Sequence, residues 1–451
     1  MTMTLKGNPW FLVALFCLGV SRSPYAKENV IFERDDKLPI VYLNVVLPMG
    51  SAHDPAQHLG LTRLAAELLV RGTKSKSKLD FENALESLGA RLEAEVRNET
   101  TILRSVFLSE KISGFLNLLG EMLSEPRLNA SDFKKLKTET ISKILEIRGN
   151  DTALAKMWWP RAFYGNHPYG NPALGTIEGV EKVTLDDVKK HLKLLLSHRN
   201  LTLVGSGDSD QTFLASWYKG VAMQLPDTEP TLSLPPLKLS GKRRLFIIDK
   251  KDRTQTQIYI GQPGISMNDE RFLPLTVANH VFGGKSFNAR LMQEVREKRG
   301  WSYGAYSSFT FGREPRTWHM YVFPKTSDTA PAVQLLDAMS QSLKKEGVSE
   351  SEFDFVKTSL VQKSGFNFNT ALKRMENTIL ELSLQLPLGF NKEMVSKLAS
   401  IKYKDSQKAI QEFVKPEEFV FMVLGTSSVI KSKIQAVTQI SEDNTTVITN
   451  Y

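Results

Sequence analysis

The sequence predicts an α+β fold of two tandem units, each an antiparallel β-sheet covered by helices. The first observation behind this prediction is a proline-rich stretch, residues 226–243, which divides the 451 residues near their middle and lacks periodic apolar residues, as an extended linker does. The second is that strands, helices and glycines follow in the same order on both sides of this stretch. We therefore predict two domains, residues 27–225 and 244–451.

The first unit begins with a strand at residues 40–47, followed by an amphipathic helix that ends at Gly72. Apolar residues of this helix recur at i, i+3, i+4, i+7 and i+8 and form one stripe, made of Leu61, Leu64, Ala65, Leu68 and Leu69. A second helix ends at Gly89. The remaining predicted elements are strands at 90–96 and 100–108, a helix at 109–122 and a closing strand at 201–205.

The second unit repeats this order of elements. Gly283 lies 211 residues after Gly72, Gly300 lies 211 residues after Gly89, and Gly425 lies 220 residues after Gly205. Three such offsets in the same order indicate an internal duplication. The predicted elements are a strand at 257–260, helices at 270–283 and 289–299, strands at 302–309 and 317–323, a helix at 328–343 and a strand at 419–425.

The composition is that of an ordinary globular protein, with 41% hydrophobic residues. The formal net charge of +9 comes from 58 basic and 49 acidic residues that are spread along the chain, with no basic block longer than a short run. No zinc-finger spacing, P-loop or aromatic-basic RNA motif accompanies this charge. We therefore expect a mildly basic surface and no nucleic-acid partner.

The N-terminal residues 1–26 have the pattern of a secretory signal peptide. Lys6 precedes an apolar run at 10–20, which is too short to span a bilayer comfortably, and the segment ends in a polar stretch at Ala26. Cys17, the only cysteine, lies inside it, so the mature chain would contain none. The sequence thus predicts a periplasmic or secreted protein, with membrane attachment only if the segment is not cleaved.

Seven segments of the mature chain form a set of motifs, residues 49–55, 60–73, 163–170, 174–176, 282–284, 290–291 and 296–303. Together these motifs resemble the M16 metallopeptidases, the family of insulinase, pitrilysin and mitochondrial processing peptidase. The resemblance implies two domains of the LuxS/MPP-like metallohydrolase fold and a clamshell that encloses an extended peptide. In active members, a helix carrying H-x-x-E-H and a distant glutamate bind zinc, and the glutamate of the motif activates water.

The zinc-binding positions are degenerate in this chain. The resemblance places Arg63 and Glu67 at the two histidines and Ala66 at the catalytic glutamate, while Glu146, seven residues after Glu139, stands for the distant ligand. Arginine carries a fixed positive charge and has no lone pair for zinc, and alanine cannot take a proton from water. Alternatively, Arg63 and Glu67 are an ordinary i, i+4 ion pair on a solvated helix. We expect no metal in this chain.

One set of catalytic-type residues remains, in the second unit. Arg296 and Tyr303 match an arginine and a tyrosine that M16 enzymes bring to the active site from the domain opposite the zinc. Such a pair would hydrogen-bond the substrate carbonyl and stabilise the oxyanion. The same two residues could instead be a structural arginine and an aromatic residue of a sheet.

These features predict the non-catalytic subunit of a periplasmic heterodimeric M16 peptidase, inactive alone. It would supply half of the peptide-binding chamber and the Arg296–Tyr303 pair in trans, and its partner would carry H-x-x-E-H and the zinc. A first alternative is an inert binding or scaffold protein of M16 fold. A second is a self-contained metalloprotease that uses Glu67 and Glu146.

Overall fold

A computed structural model describes residues 29–239 and 241–451. The predicted signal peptide and Cys17 lie outside the described residues. Within the described part of the chain, no helix has both the length and the apolar character needed to cross a membrane.

The first half forms a five-stranded sheet accompanied by eight α-helices. Its strands are β1 (Val30–Arg34), β2 (Ile40–Leu47), β3 (Arg91–Val96), β4 (Thr101–Leu108) and β5 (Thr202–Gly207). Its helices are α1 (Leu61–Leu69), α2 (Lys78–Ser87), α3 (Ile112–Ser124), α4 (Ala130–Gly149), α5 (Asp151–Tyr164), α6 (Ile177–Lys182), α7 (Leu185–Leu195) and α8 (Gln211–Ala222).

The second half forms a six-stranded sheet that is again accompanied by helices. Its strands are β6 (Arg244–Asp249), β7 (Gln257–Pro263), β8 (Ala305–Phe309), β9 (Thr317–Val322), β10 (Val420–Gly425) and β11 (Thr445–Ile448). Its helices are α9 (Phe272–Gly283), α10 (Arg290–Met292, continued by a π-helical turn at Gln293–Glu297), α11 (Thr329–Glu346), α12 (Glu350–Ser364), α13 (Ala371–Ser383), α14 (Phe390–Leu398), α15 (Tyr403–Phe413) and α16 (Ser427–Thr438).

The two sheets share one topology, which agrees with the internal duplication that the glycine offsets indicate. The strand order is β1-β5-β2-β4-β3 in the first sheet and β6-β10-β7-β9-β8 in the second, with β11 added beside β6. The predicted strands pair antiparallel. However, β1 runs parallel to β5, and β6 runs parallel to β10 and β11. The α+β fold is thus confirmed, but the sheets are mixed rather than wholly antiparallel, because the strands that the sequence analysis missed join in parallel.

The helix that carries the degenerate motif, α1, is fixed at both ends. Gly60 precedes it with φ of 103°, a left-handed conformation that favours glycine. The Asp54 carboxylate accepts hydrogen bonds from the backbone N–H groups of Gly60 (2.8 Å) and Thr62 (2.9 Å), and so caps the start of the helix. Leu64 and Leu68 are fully buried, as the predicted apolar stripe requires. The opposite side of α1 faces helix α4.

Each half covers one face of its sheet with its own helices and the other face with a helix from the other half. Helix α5 packs on β7 and β10 of the second sheet, and helix α13 packs on β1, β2 and β5 of the first. Alternation along β10 shows the two faces. Phe421 and Val423 belong to the core of the second half, whereas Met422 and Leu424 pack in a cluster with Trp159 of α5. We refer to α5 and α13 as the exchanged helices.

A buried polar cluster also joins the two halves. Glu99, which is 6% exposed, accepts hydrogen bonds from the Tyr169 hydroxyl (2.6 Å), from Arg316 Nη2 (2.9 Å) and from the backbone N–H of Arg313 (3.1 Å). Burial alone would raise the pKa of Glu99, but Arg316 and the hydrogen bonds outweigh it and hold the pKa below its ordinary value. We call Glu99, Tyr169, Arg313 and Arg316 the clasp.

The proline-rich stretch between the halves contains no helix or strand in its described residues, but it is attached to the first half along its length. The ring nitrogen Nε2 of His53 lies 3.2 Å from the Leu232 carbonyl, and Nε2 of His167 lies 2.8 Å from the Pro235 carbonyl. The stretch is therefore an extended segment held in place by hydrogen bonds rather than a free tether.

Candidate functional site

The degenerate zinc positions form an ion-paired cluster between α1 and α4. Arg63 and Glu67, one turn apart on α1, form a salt bridge, and Lys143 Nζ of α4 lies 3.9 Å from the Glu67 carboxylate. Ala66 is fully buried beside them. Two cations thus surround the only carboxylate of this cluster, which we call the Arg63 cluster.

Lys143, and not Glu146, is the α4 residue that reaches the degenerate motif. Arg71, just after α1, forms a salt bridge with Glu139 earlier on α4, so the two helices run antiparallel with Glu67 beside Lys143. Glu146 is exposed and makes no hydrogen bond or ion pair with any described residue. The sequence analysis placed Glu146 here on the seven-residue spacing alone and did not single out Lys143.

The Arg63 cluster does not fit a zinc ion. Zinc sites use thiolate, imidazole or carboxylate donors, and only Glu67 offers one, already paired with two cations. The guanidinium of Arg63 and the ammonium of Lys143 would repel a divalent cation at this position. Among residues 29–239 and 241–451, no group of three or more His, Cys, Asp or Glu side chains is placed to hold a metal ion.

Arg296 and Tyr303 of the second half contact each other, but Tyr303 lies in a loop rather than at the start of a strand, where the sequence analysis placed it. Arg296 lies in the π-helical turn after α10, and Tyr303 lies in the loop before β8. The guanidinium carbon of Arg296 lies 4.3 Å from the centroid of the Tyr303 ring, within the range of a cation–π contact. No hydrogen bond or ion pair between described residues connects this pair to the Arg63 cluster.

A third residue, Phe287, completes the arrangement around Arg296. Its ring centroid lies 5.0 Å from the Arg296 guanidinium carbon, so the guanidinium contacts two aromatic rings, those of Phe287 and Tyr303. Phe287 is 61% exposed and Tyr303 is 75% exposed, which is unusual for large aromatic side chains. The sequence analysis did not single out Phe287, because its contact with Arg296 depends on how the loop after α9 folds.

This arrangement orients a cationic hydrogen-bond donor at the protein surface. Stacking on two rings restricts the guanidinium plane, and the nearest carboxylate oxygen, that of Glu297, lies 3.5 Å from Arg296 Nε, beyond a good hydrogen bond. The donors of Arg296 therefore stay available to an acceptor such as a peptide carbonyl. A π-helical turn like the one that holds Arg296 often occurs at functional sites.

Two M16 family models match the chain. The model described as insulinase (peptidase family M16) matches residues 29–177, and the model described as the peptidase M16 inactive domain matches residues 182–360. Of the curated relatives, the non-peptidase homolog YmxG of Helicobacter pylori is 25% identical over 402 residues, which cover 88% of this chain and 92% of the relative.

Solved structures show the same fold. The peptidase M16 inactive domain from Pseudomonas fluorescens superimposes with a TM-score of 0.80 at 21% identity, over 88% of this chain and 95% of that one. The first half of the periplasmic protease PqqL from Escherichia coli superimposes with a TM-score of 0.74 at 15% identity, over 91% and 93%. The chain belongs to the M16 family.

Proposed function

We propose that this chain is the non-catalytic subunit of a two-chain M16 peptidase and that it lends Arg296 and Tyr303 to the zinc site of its partner. The observation that carries the proposal is the contrast between the two sites. The Arg63 cluster has no zinc ligand set, whereas Arg296 is held on two exposed rings with its donors free.

The chemistry would be divided between the two chains. The partner would bind zinc and activate water, and Arg296 would donate hydrogen bonds to the carbonyl oxygen of an extended peptide, where negative charge develops as water attacks. Tyr303 would supply a hydroxyl donor next to it and a ring that restricts the guanidinium. This chain would also form half of the chamber that encloses the peptide.

The proposed location is the periplasm. Residues 1–26 have the pattern of a signal peptide, and one structural neighbour is half of a protease that is described as periplasmic. A mature chain without cysteine is suited to an oxidising compartment, because it cannot form mispaired disulfides there.

The test mixes the purified chain with an M16 chain from the same organism that carries H-x-x-E-H, and measures peptide cleavage. We expect activity only in the mixture, and we expect Arg296→Ala to lower kcat about 100-fold, as the loss of an oxyanion donor does. Arg299→Ala is the matched control, because Arg299 also stacks on an aromatic ring, that of Trp301 at 5.4 Å, and should leave the rate unchanged. Equal partner activity with Arg296→Ala, or with no added chain, would contradict the proposal.

A second candidate function is an inert binding or scaffold protein. The name of the Helicobacter pylori relative, a non-peptidase homolog, and the paired charges of the Arg63 cluster favour it. It predicts stable association with another protein and no effect on any peptidase. A self-contained metalloprotease is a third candidate, and metal analysis of the purified chain that finds no stoichiometric zinc would remove it.

A further inference from the structure

A cavity of about 790 Å³ is lined by residues of the exchanged helix α5, of α9 and of strands β7, β8 and β9, and by none of the Arg63 cluster. Aromatic rings line it. Trp159 of α5 stacks on Tyr259 of β7 with centroids 5.5 Å apart, and Tyr321 of β9 lies 4.6 Å from Tyr259. His319 lies 5.6 Å from both Trp159 and Tyr259. These rings provide a wall against which an aromatic or large apolar group can pack.

Two hydrogen-bond donors belong to this wall, the Trp159 indole N–H and the Tyr259 hydroxyl. Trp159 is 4% exposed, and its indole Nε1 has no hydrogen-bond partner among the described residues. Tyr259 is 7% exposed, and its hydroxyl likewise makes no hydrogen bond with a described residue. Burial raises the pKa of Tyr259 well above its ordinary value, so the hydroxyl keeps its proton. An acceptor bound in the cavity can therefore reach the Tyr259 hydroxyl, whereas the indole N–H of Trp159 is shielded from the cavity.

The charges around the cavity all have one sign. Lys156 of α5 and Lys285, which follows α9, line it, and neither forms an ion pair with a described residue. No Asp or Glu is among the described residues that line it. Burial lowers the pKa of His319 to about 4, so this imidazole is neutral at neutral pH. The cavity therefore attracts an anion and repels a cation such as a peptide α-ammonium group.

We propose that this cavity binds the C-terminal residue of a peptide. A large apolar side chain would pack on Trp159 and Tyr259, and the terminal carboxylate would pair with Lys285 or Lys156 and accept a hydrogen bond from the Tyr259 hydroxyl. A C-terminal residue is the part of a peptide that carries an apolar group and a carboxylate on the same carbon atom. The proposal goes beyond the function proposed above, because it needs neither a partner chain nor cleavage.

The test measures binding of an N-terminally labelled peptide, Gly-Ser-Gly-Ala-Phe, to this chain alone by fluorescence anisotropy. The free acid should bind, and its C-terminal amide should bind about tenfold more weakly, because the charge-assisted contact is lost. Replacing the last residue of the peptide by glycine should weaken binding to a similar extent, about tenfold, because the apolar contact is lost.

Variants of the chain locate the site. Lys285→Gln or Lys156→Gln should weaken binding of the free acid about tenfold but leave binding of the amide unchanged. Tyr259→Phe keeps the ring and removes the hydroxyl, so it should weaken binding of the free-acid peptide about threefold. The control is Lys135→Gln, which removes an exposed lysine of α4 far from the cavity lining, and circular dichroism verifies that all variants are folded. Failure of the free acid to bind, equal binding of acid and amide, or indifference to both lysine variants would overturn the proposal.

Discussion

Replacing Glu99 by alanine should destabilise the protein more than almost any other single change of a charged residue. The clasp around Glu99 is nearly free of solvent, since the Arg316 side chain is 7% exposed and Glu99 is 6% exposed. Glu99→Ala would leave Arg316 buried without a counter-charge and the Tyr169 hydroxyl without its acceptor. Breaking a buried ion pair by removing one partner typically costs about 3–5 kcal/mol.

The magnitude can be measured as the change in the free energy of unfolding in urea, with circular dichroism and tryptophan fluorescence as probes. The clasp joins residues of the first half to residues of the second half. We therefore expect the unfolding transitions followed by circular dichroism and by fluorescence to coincide in the wild type and to separate in Glu99→Ala. Glu314→Ala is the control. This residue is in the same loop as Arg313 and Arg316, is exposed and makes no hydrogen bond or ion pair with a described residue, so its loss should cost less than about 0.5 kcal/mol.

The stabilisation from Glu99 should also depend on pH. The pKa of Glu99 in the folded protein lies below its ordinary value, so the carboxylate contributes stability above the ordinary glutamate pKa and loses it as the pH falls through the lowered pKa. The difference between wild type and Glu99→Ala should therefore shrink in acid. A cost of less than about 1 kcal/mol at pH 7, indistinguishable from that of Glu314→Ala, would refute the role that we assign to the clasp.

Two further predictions concern the Arg63 cluster and His191 of helix α7. The triple variant Arg63→His, Glu67→His and Lys143→Glu should bind one zinc per chain in metal analysis. The double variant that keeps Lys143 should bind none, because the lysine ammonium repels the ion. Equal zinc binding by both variants would contradict the position of Lys143 beside residue 67. Burial lowers the pKa of His191 to about 4, so this histidine should cost stability as the pH falls from 6.5 to 4. Between pH 7 and pH 4.5, wild type should therefore lose about 2 kcal/mol more than His191→Gln in urea unfolding.

Much of the fold could be predicted from local patterns. Strand β2 was predicted with the bounds that it has, and the apolar stripe of α1 identified its buried face, because both elements alternate or repeat on a period that the sequence displays. Strands β1 and β6 were missed. Both are short and pair in parallel with a strand far along the chain, so no turn next to them marks their partner.

The candidate site was predictable to a similar extent. The i, i+4 spacing of Arg63 and Glu67 predicted their ion pair, and Arg296 and Tyr303, which the sequence analysis grouped together, are in contact; each pair lies within seven residues of sequence. Lys143 and Phe287 could not be found in this way. Their roles depend on how α4 packs on α1 and how the loop after α9 folds, and those are contacts between segments far apart or irregular in structure.

The exchanged helices have a consequence for how such a chain could arise. In a single unit of this architecture, one face of the sheet has no helix of its own half. Both faces are covered because each half places one helix, α5 or α13, on the sheet of the other half. The same trade between separate chains would be a domain-swapped homodimer, so fusion of two identical genes would give this architecture without any change in packing. Each unit then relies on its neighbour for a complete core, and neither half should be soluble when produced alone. Co-expressed as two pieces divided within residues 226–239, they should reassemble.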